Sequence, residues 1–270
     1  MNVFVDTHCH LNLNLFQNDL DEVLERALQQ GVERILIPGI DLEISRRAVQ
    51  LSEDNIHLYA AIGVHPNDAL TWQADTLAEL KELAASSPKV VAIGEIGLDY
   101  YRDFSPAALQ KEIFLAQLAL AEEIQKPVIV HGRQSLVDLW QLLSSWHKTL
   151  SDHHSPLVKR LGVLHSYEGD LDTALQAVQL GFQIGIGGPV TFRNAKDRQS
   201  MAASLPLQAI LLETDAPYLS PHPFRGLRNE PGYVVWVAEK IAALRDRPIS
   251  EIAAVTTKNA DRFFGWRFND

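Results

Sequence analysis

Six side chains of the kinds that bind metal ions occur in short segments spread along the sequence. Two of them are in FVDTHCH, residues 4–10, and the others follow apolar runs further along. They are His8, His10, Glu95, His131, His165 and Asp215. Imidazole nitrogens and carboxylate oxygens suit zinc, manganese and similar divalent ions. Six ligands are too many for one tetrahedral ion that keeps an open position, so we expect two divalent ions that share Glu95.

The spacing of the two histidines in FVDTHCH favours a shared ion. Side chains alternate between the two faces of a strand, so residues two apart point the same way. We therefore expect His8 and His10 to face one ion, while Cys9 points away and packs as a small apolar residue.

Other polar residues are better explained by structural roles. A single histidine is more often a hydrogen-bonded structural residue than a ligand, and four histidines lie in polar or helical surroundings. These are His57, His147, His153 and His154. Asp99 and Glu213 are expected to support the ligands or the fold rather than to bind an ion.

Composition limits the class of protein. The chain has 270 residues, 46% of them hydrophobic, which predicts one domain over residues 1–270 with a large core. The formal charge of −10 argues against a broad basic surface for nucleic acid, but bound metal ions would still attract phosphate. One cysteine, no apolar run of membrane-spanning length and no secretory pattern predict a cytoplasmic protein.

Short apolar runs alternate with longer segments of helical periodicity. The runs are apolar throughout, as expected for parallel strands buried on both faces. Eight of them predict a (β/α)8 TIM barrel; a doubly wound open sheet is the alternative, but no glycine-rich loop follows the first run. The runs are 3–6, 34–39, 58–63, 90–95, 127–131, 162–165, 182–188 and 209–214.

The segment 105–126 is the clearest predicted helix. Ser105 is placed to act as its N-cap and Pro106 as its first residue, and apolar residues then recur at helical spacing. Segment 19–31 predicts another helix, which ends at Gly31. In such barrels the active site lies at the carboxyl ends of the strands, which is where all six candidate ligands occur.

With these residues placed, the chain resembles the TatD family of metal-dependent hydrolases, within the wider amidohydrolase-like barrels. The IGIGG and LLETDAP stretches are most similar to the YjjV-type branch. The matching segments occur in family order along nearly the whole chain. They are DTHCH (6–10), GVHP (63–66), GEIGLDY (94–100), PVIVHGR (127–133), GVLHSYEG (162–169), IGIGGPVTF (184–192), LLETDAPYLSP (211–221) and RGLRNEP (225–231).

The resemblance implies a divalent metal pair, with magnesium, manganese or zinc as the ions, and hydrolysis of phosphodiester bonds. It implies a deoxyribonuclease with 3′-to-5′ exonuclease action on nucleic-acid ends. One ion would be held by His8, His10 and Asp215, and the other by His131 and His165. Glu95 would bridge the ions, and His65 would face the substrate.

In the mechanism that follows, the ions supply hydroxide near neutral pH and stabilise the charge that develops on the phosphate. Asp215 is the candidate to orient the attacking water and accept its proton. Arg133 and Arg225, with Arg228 nearby, are candidates for phosphate contacts. Short single strands or chain ends, rather than long duplex, are the expected substrates, and no obligate protein partner is evident.

Two alternatives stay open from the sequence. The same ligands serve amide or cyclic-amide hydrolysis and deamination in related barrels, which often bridge their metals through a carbamylated lysine at the end of strand four. Here Glu95 occupies that position and Lys89 lies at the start of the run, which favours phosphodiester hydrolysis. A non-catalytic metal-binding barrel is the other alternative, although none of the six ligands is missing.

Overall fold

The computed structural model describes residues 2–102 and 104–266. Eight parallel strands form one sheet in sequential order, with helices between them, and build the predicted (β/α)8 barrel. All eight predicted runs are strands. Their bounds are β1 Phe4–Asp6, β2 Val32–Pro38, β3 Leu58–Ile62, β4 Val90–Asp99, β5 Val128–Arg133, β6 Gly162–Leu164, β7 Phe182–Ile186 and β8 Ile210–Leu212.

The first and last strands close the barrel just beyond their own ends. The amide of Thr7 donates to the carbonyl of Leu212 at 2.9 Å. Cys9 and Ala216 form an isolated parallel bridge one step further along. This closure brings the segment after β1, with its two histidines, next to the segment after β8, with Asp215.

Nine α-helices occur in the described residues, and they surround the barrel. Their bounds are α1 Leu20–Gln29, α2 Leu42–Asp54, α3 Thr76–Ser86, α4 Ala107–Glu123, α5 Leu136–Asp152, α6 Leu171–Leu180, α7 Lys196–Ser204, α8 Val234–Arg245 and α9 Ile249–Phe264. Within residues 2–102 and 104–266, none of them combines the length and apolar character needed to cross a bilayer.

The predicted ends of two helices are partly right. Gly31 follows α1 with φ +84°, the left-handed conformation expected after a helix end. The prediction for Ser105 and Pro106 is wrong by one residue, because α4 begins at Ala107 with Pro106 as its N-cap. The Ser105 hydroxyl donates instead to the carbonyl of Asn67 at 3.2 Å, and α4 ends at Glu123 rather than near residue 126.

The buried apolar residues form two clusters, one on each side of the sheet. The larger cluster lies between the strands and the surrounding helices. The smaller one takes alternate residues of seven strands, such as Val5, Leu36 and Ile129, and therefore fills the barrel interior. Phe264, the last residue of α9, and Trp266, two residues further along, belong to this inner cluster.

The inner cluster is closed at the end of the barrel where the strands begin. The Trp266 ring lies 4.7 Å from the ring of Tyr59, near the start of β3, and 4.6 Å from that of Phe264, centroid to centroid. In the described residues, the cavity therefore opens at the opposite end of the barrel, where the strands finish.

Candidate active site

A cavity of about 600 Å³ opens at the carboxyl ends of the strands. Its lining includes five of the six candidate ligands, with His8 buried beside them. Residues from after β1, from β4 and β5, and from after β6 and β8 therefore converge at one place, as barrel topology predicts.

Four side-chain atoms from three segments form the first group of candidate ligands. The Nε2 atoms of His8 and His10 are 3.1 Å apart. Glu95 Oε2 lies 3.3 Å from the first nitrogen and 3.6 Å from the second. Asp215 Oδ1 is 3.5 Å from His10 Nε2 and 3.9 Å from His8 Nε2. These atoms are close enough to surround a single cation.

The second carboxylate oxygen of Glu95 faces a different set of histidines. Oε1 lies 2.9 Å from His131 Nδ1, 3.7 Å from His65 Nε2 and 3.8 Å from His165 Nε2. His65, Glu95 and His131 have ligand atoms within 4.8 Å of one another. Glu95 is thus placed between two clusters of imidazoles, with one oxygen toward each.

An irregularity in β4 places Glu95 at this position. The pairing of β4 with β5 runs from Ile93 opposite Val128 to Ile96 opposite Val130, so β4 has one extra residue between the two pairs. Such a bulge changes the direction of a side chain and often occurs next to active sites. The Glu95 amide donates to the Gly39 carbonyl at 2.7 Å, which fixes the backbone there.

The backbone after β8 positions Asp215 through β1. The Asp215 amide donates to the His8 carbonyl at 2.9 Å. One residue earlier, the Thr214 amide and hydroxyl both donate to the carboxylate of Asp6, at 2.9 and 2.5 Å. Asp6 also accepts from the His8 amide at 3.2 Å, so it joins the two segments that carry these candidate ligands.

Two further carboxylates contact the outer nitrogens of candidate ligands. Asp99 Oδ2 lies 3.3 Å from His131 Nε2, and Glu213 lies 3.1 Å from His165 Nδ1. Glu213 also accepts from the Ser166 amide at 2.6 Å. A carboxylate behind a metal-binding histidine fixes the orientation and tautomer of the ring. The position of Asp99 agrees with the supporting role predicted for it, while Glu213 also has ligand atoms within 4.8 Å of those of His8 and His165.

Burial and neighbouring charges set the protonation of the cluster. Burial lowers the pKa of His8, and it lowers the pKa of His65 to about 3. Burial opposes charge on His131 as well, but hydrogen bonds to Asp99 and Glu95 raise its pKa to about 9. For His165 the charge of Glu213 outweighs burial and raises the pKa to about 10.

The carboxylates of the cluster stay ionised despite their burial. Burial alone would raise the pKa of Glu95, but the surrounding histidines hold it well below the usual value. The same balance lowers the pKa of Asp215, with His10 and His165 as its main partners. Asp6 differs: burial raises its pKa to about 8.

The donor set fits divalent cations. His8 is fully buried, and the nitrogen atoms of His8 and His10 lie 3 to 4 Å from each other and from oxygen atoms of Glu95 and Asp215. A cation between the Glu95 and Asp215 carboxylates would offset the repulsion between their negative charges. The sets that could hold an ion include His8, His10 and Glu95.

The three predicted substrate contacts lie at different depths. His65 and Arg133 line the cavity, and the Arg133 guanidinium stacks on the Tyr101 ring at 4.0 Å. Arg225 is exposed, and its guanidinium stacks on the Phe192 ring at 4.0 Å. It is not among the described residues that line the cavity. Arg228 donates to Asp19 at 2.8 Å and to Glu230 at 2.9 Å, which gives it a structural role.

His57 and His153 make contacts outside the cavity. His57 contacts the Glu33 carbonyl and His153 contacts Glu122, in keeping with their predicted structural roles.

Residues outside the predicted set also shape the site. Asn67 was not predicted to contribute: its side-chain amide donates to the Asp99 carboxylate at 3.2 Å. The exposed rings of Phe104 and Tyr218, which line the cavity, were also missed, because an exposed aromatic residue carries no sequence pattern.

A barrel with histidines and carboxylates converging at the carboxyl end of its strands defines the class of metal-dependent hydrolases. The chain belongs to the TatD family: the family described as "TatD related DNase" matches residues 5–265. The resemblance predicted from the sequence motifs is thereby confirmed.

Individual relatives span almost the whole chain. The metal-dependent hydrolase YabD of Bacillus subtilis is 44% identical over 259 residues, covering 96% of this chain and 98% of the relative. The 3′-5′ ssDNA/RNA exonuclease TatD of Citrobacter rodentium is 36% identical, covering 96% and 97%. The crystal structure of YjjV, a TatD homologue of Escherichia coli, is 35% identical, with a TM-score of 0.89 and 98% of each chain covered.

Proposed function

We propose that this hydrolase cleaves phosphodiester bonds with two divalent ions, as a 3′-to-5′ exonuclease on single-stranded nucleic acid, with DNA as the expected substrate. The observation that carries the proposal is the position of Glu95, whose two oxygens face separate groups of histidines. The relative from Citrobacter rodentium, itself named as such an exonuclease, supports the choice of substrate.

The ligands divide between the two ions according to the oxygen of Glu95 that they face. His8, His10 and Asp215 would hold one ion. His131 and His165 would hold the other, with Glu95 between them. Bound magnesium, manganese or zinc would lower the pKa of a coordinated water and attract the charge on the phosphate oxygens.

Asp215 is the proposed proton acceptor. Its carboxylate is 16% exposed, whereas that of Glu95 is 4% exposed, so Asp215 is the more accessible to a water in the cavity. Its lowered pKa keeps it ionised at neutral pH. It can orient the attacking water through a hydrogen bond and take up its proton, while Glu95 holds the two halves of the site together.

Two cavity residues are proposed to hold the substrate phosphate. Arg133 can offer paired N–H groups to phosphate oxygens while its plane rests on Tyr101. His65 is neutral because burial lowers its pKa, and it faces Glu95 from the substrate side. Arg225, on the loop after β8, remains a candidate for contact with a more distant part of the strand.

The amide-hydrolase alternative gains nothing from the surroundings of Lys89. Its ammonium group donates to the carbonyls of Ser52 and Asn55, at 2.5 and 2.6 Å, near the start of β4. A lysine that bridges metals has to lie further along that strand, where it lines the cavity, and Glu95 occupies this position. No obligate protein partner enters the proposed reaction.

The bridging role is tested with Glu95→Ala and Glu95→Gln. Both variants are expected to lose most bound metal, measured by mass spectrometry of the purified protein. They should also lose hydrolysis of bis(p-nitrophenyl) phosphate and of a 5′-labelled single-stranded oligonucleotide, by about a hundredfold or more. A 3′-blocked oligonucleotide should resist the wild type.

Glu79→Ala is the matched control, because Glu79 is a carboxylate on α3 paired with Arg46 at the surface. It should keep the metal content and activity of the wild type. Glu95 variants that keep hydrolysing phosphodiesters with metal present would refute the bridging role. A wild type that cleaves cyclic amides but no phosphodiester would refute the proposed reaction.

A further inference from the structure

Two exposed aromatic side chains line the cavity. Phe104 is 59% exposed and Tyr218 is 50% exposed, and both contribute to the cavity wall. Phe104 follows β4 and Tyr218 follows β8. In a ring of eight strands in sequential order, β4 and β8 are on opposite sides. The candidate ligands therefore lie between two rings that face solvent.

The backbone that carries the Tyr218 ring is held by hydrogen bonds on both sides, and hydrogen bonds also hold Tyr101 and Arg102, which precede Phe104. Before Phe104, the amides of Tyr101 and Arg102 donate to the Asp99 carboxylate at 2.9 and 3.0 Å. The amide of Tyr218 donates to the carbonyl of Asp215 at 2.8 Å. The carbonyl of Tyr218 accepts from the Asn229 side chain at 2.6 Å. An aromatic surface held in place by a well-bonded backbone loses little entropy when a flat ligand stacks on it.

The Tyr218 ring lies close to a candidate ligand, and the Phe104 ring lies close to an arginine of the cavity. The ring centroid of Tyr218 is 6.2 Å from that of His10. The Arg102 guanidinium lies 5.7 Å from the Phe104 ring, and Arg133 lines the same cavity. Single exposed apolar residues are ordinary on a protein surface. A pair of rings flanked by two arginines beside a candidate metal cluster instead suits a ligand that carries both flat rings and negative charge.

We propose that Phe104 and Tyr218 stack on the nucleobases on either side of the scissile phosphodiester and so select unpaired strand ends. This inference rests on the proposed nuclease function. A nucleic-acid strand has one flat base on each side of every phosphodiester. In a duplex these bases are already paired and stacked on their neighbours, so they reach the two rings only after the end has opened.

The experiment compares kcat/KM on single-stranded oligonucleotides that carry an abasic site at the terminal position, at the penultimate position or nowhere. In wild type, each abasic site should lower kcat/KM about fivefold or more, because one stacked base is lost. In Phe104→Leu, the abasic penalty should fall to near onefold at one position. In Tyr218→Leu, it should fall to near onefold at the other position.

Conservative variants and a distant control separate stacking from damage to the site. Phe104→Tyr and Tyr218→Phe keep an aromatic face and should keep the wild-type penalties. Ile56→Ala changes an exposed residue, 69% accessible, before the start of β3 at the opposite end of the barrel, and should also keep them.

The outcomes distinguish the two levels of the proposal. Wild-type protein that cleaves no phosphodiester would refute the nuclease function itself. Active protein in which Phe104→Leu and Tyr218→Leu leave both abasic penalties at the wild-type value would refute base stacking alone.

Discussion

Asp215 combines a functional carboxylate with an uncommon backbone conformation. Its φ is +58°, in the left-handed region that non-glycine residues seldom adopt, although aspartate is among those that do. Hydrogen bonds to the carbonyl of His8 and from the amide of Tyr218 hold it there. Such conformations are concentrated at active sites. A substitution of Asp215 therefore changes both a candidate ligand and the path of the chain.

Asp68, at the edge of the cavity, should make stability depend on pH. Burial, with the negative charges of Asp41 and Glu95, raises its pKa from 3.8 to about 6. The folded protein binds this proton more tightly, so stability falls as pH rises from about 4 to about 6 and stays lower above that. In metal-free protein with chelator, Asp68→Asn should raise Tm by about 2 °C at pH 7.

The size of this effect is small because the Asp68 side chain is 36% exposed and solvent screens its charge. Near pH 4 the variant and the wild type should melt together. Asp75→Asn, at an exposed carboxylate before α3, provides the matched control for the change of residue type. A Tm difference that stayed constant down to pH 4 would contradict the assignment to Asp68.

At the scale of the elements, the end of α9 and the residues after it close the barrel at the end where the strands begin. Trp266 is 3% exposed, and its indole N–H donates to Asp261 at 3.0 Å. Trp266→Ala should lower the free energy of unfolding by about 3–5 kcal/mol, since it leaves a cavity among the inner apolar residues. Urea denaturation monitored by circular dichroism measures this decrease in the free energy of unfolding.

Trp236→Ala is the control for this prediction, because Trp236 lies on α8 and is 37% exposed. It should cost clearly less. Equal losses for the two variants would mean that Trp266 is not part of a tightly packed closure.

The sequence predicts elements better than it predicts their ends. Eight continuous apolar runs identified all eight strands, because parallel strands buried on both faces have no polar positions. The end of β1 was harder: β1 stops at Asp6, and His8 and His10 share an ion-sized space through the bridge at Cys9 rather than through a longer strand. Ser105 looked like an N-cap, but its hydroxyl bonds to Asn67.

The arrangement of the site was predicted in part. Topology alone brings strand ends together, so the convergence of the candidate ligands followed from the order of the runs. The bulge in β4 depends on pairing with β5, which no local pattern records. The separate directions of the two Glu95 oxygens therefore came only from the three-dimensional arrangement.

At the scale of the whole molecule, the charge predicts how the substrate is held. The chain carries −10, and the arginines among the described cavity-lining residues are Arg102 and Arg133. Each phosphate contact on a single strand contributes about −0.7 to the slope of log K against log salt, so two contacts predict about −1.4. Fluorescence anisotropy with a labelled, 3′-blocked oligonucleotide measures this slope.

Duplex of the same length should bind more weakly than the single strand at every salt concentration. A slope steeper than about −4, or tighter binding to duplex, would point to a long phosphate-binding track instead of an end-binding cavity.

The aromatic residues that close the barrel where its strands begin affect how substrate enters and product leaves. Within the described residues, Tyr59, Phe264 and Trp266 pack together at the end where the strands begin, and the cavity opens where the strands finish. If a nucleotide is cut from a strand end, it has to leave through the opening that the strand itself occupies. Entry and exit then compete, so the shortened strand has to withdraw before each departure. On this geometry cleavage would be distributive: the enzyme would release the strand after each cut and produce intermediates of many lengths, rather than degrade one strand to completion.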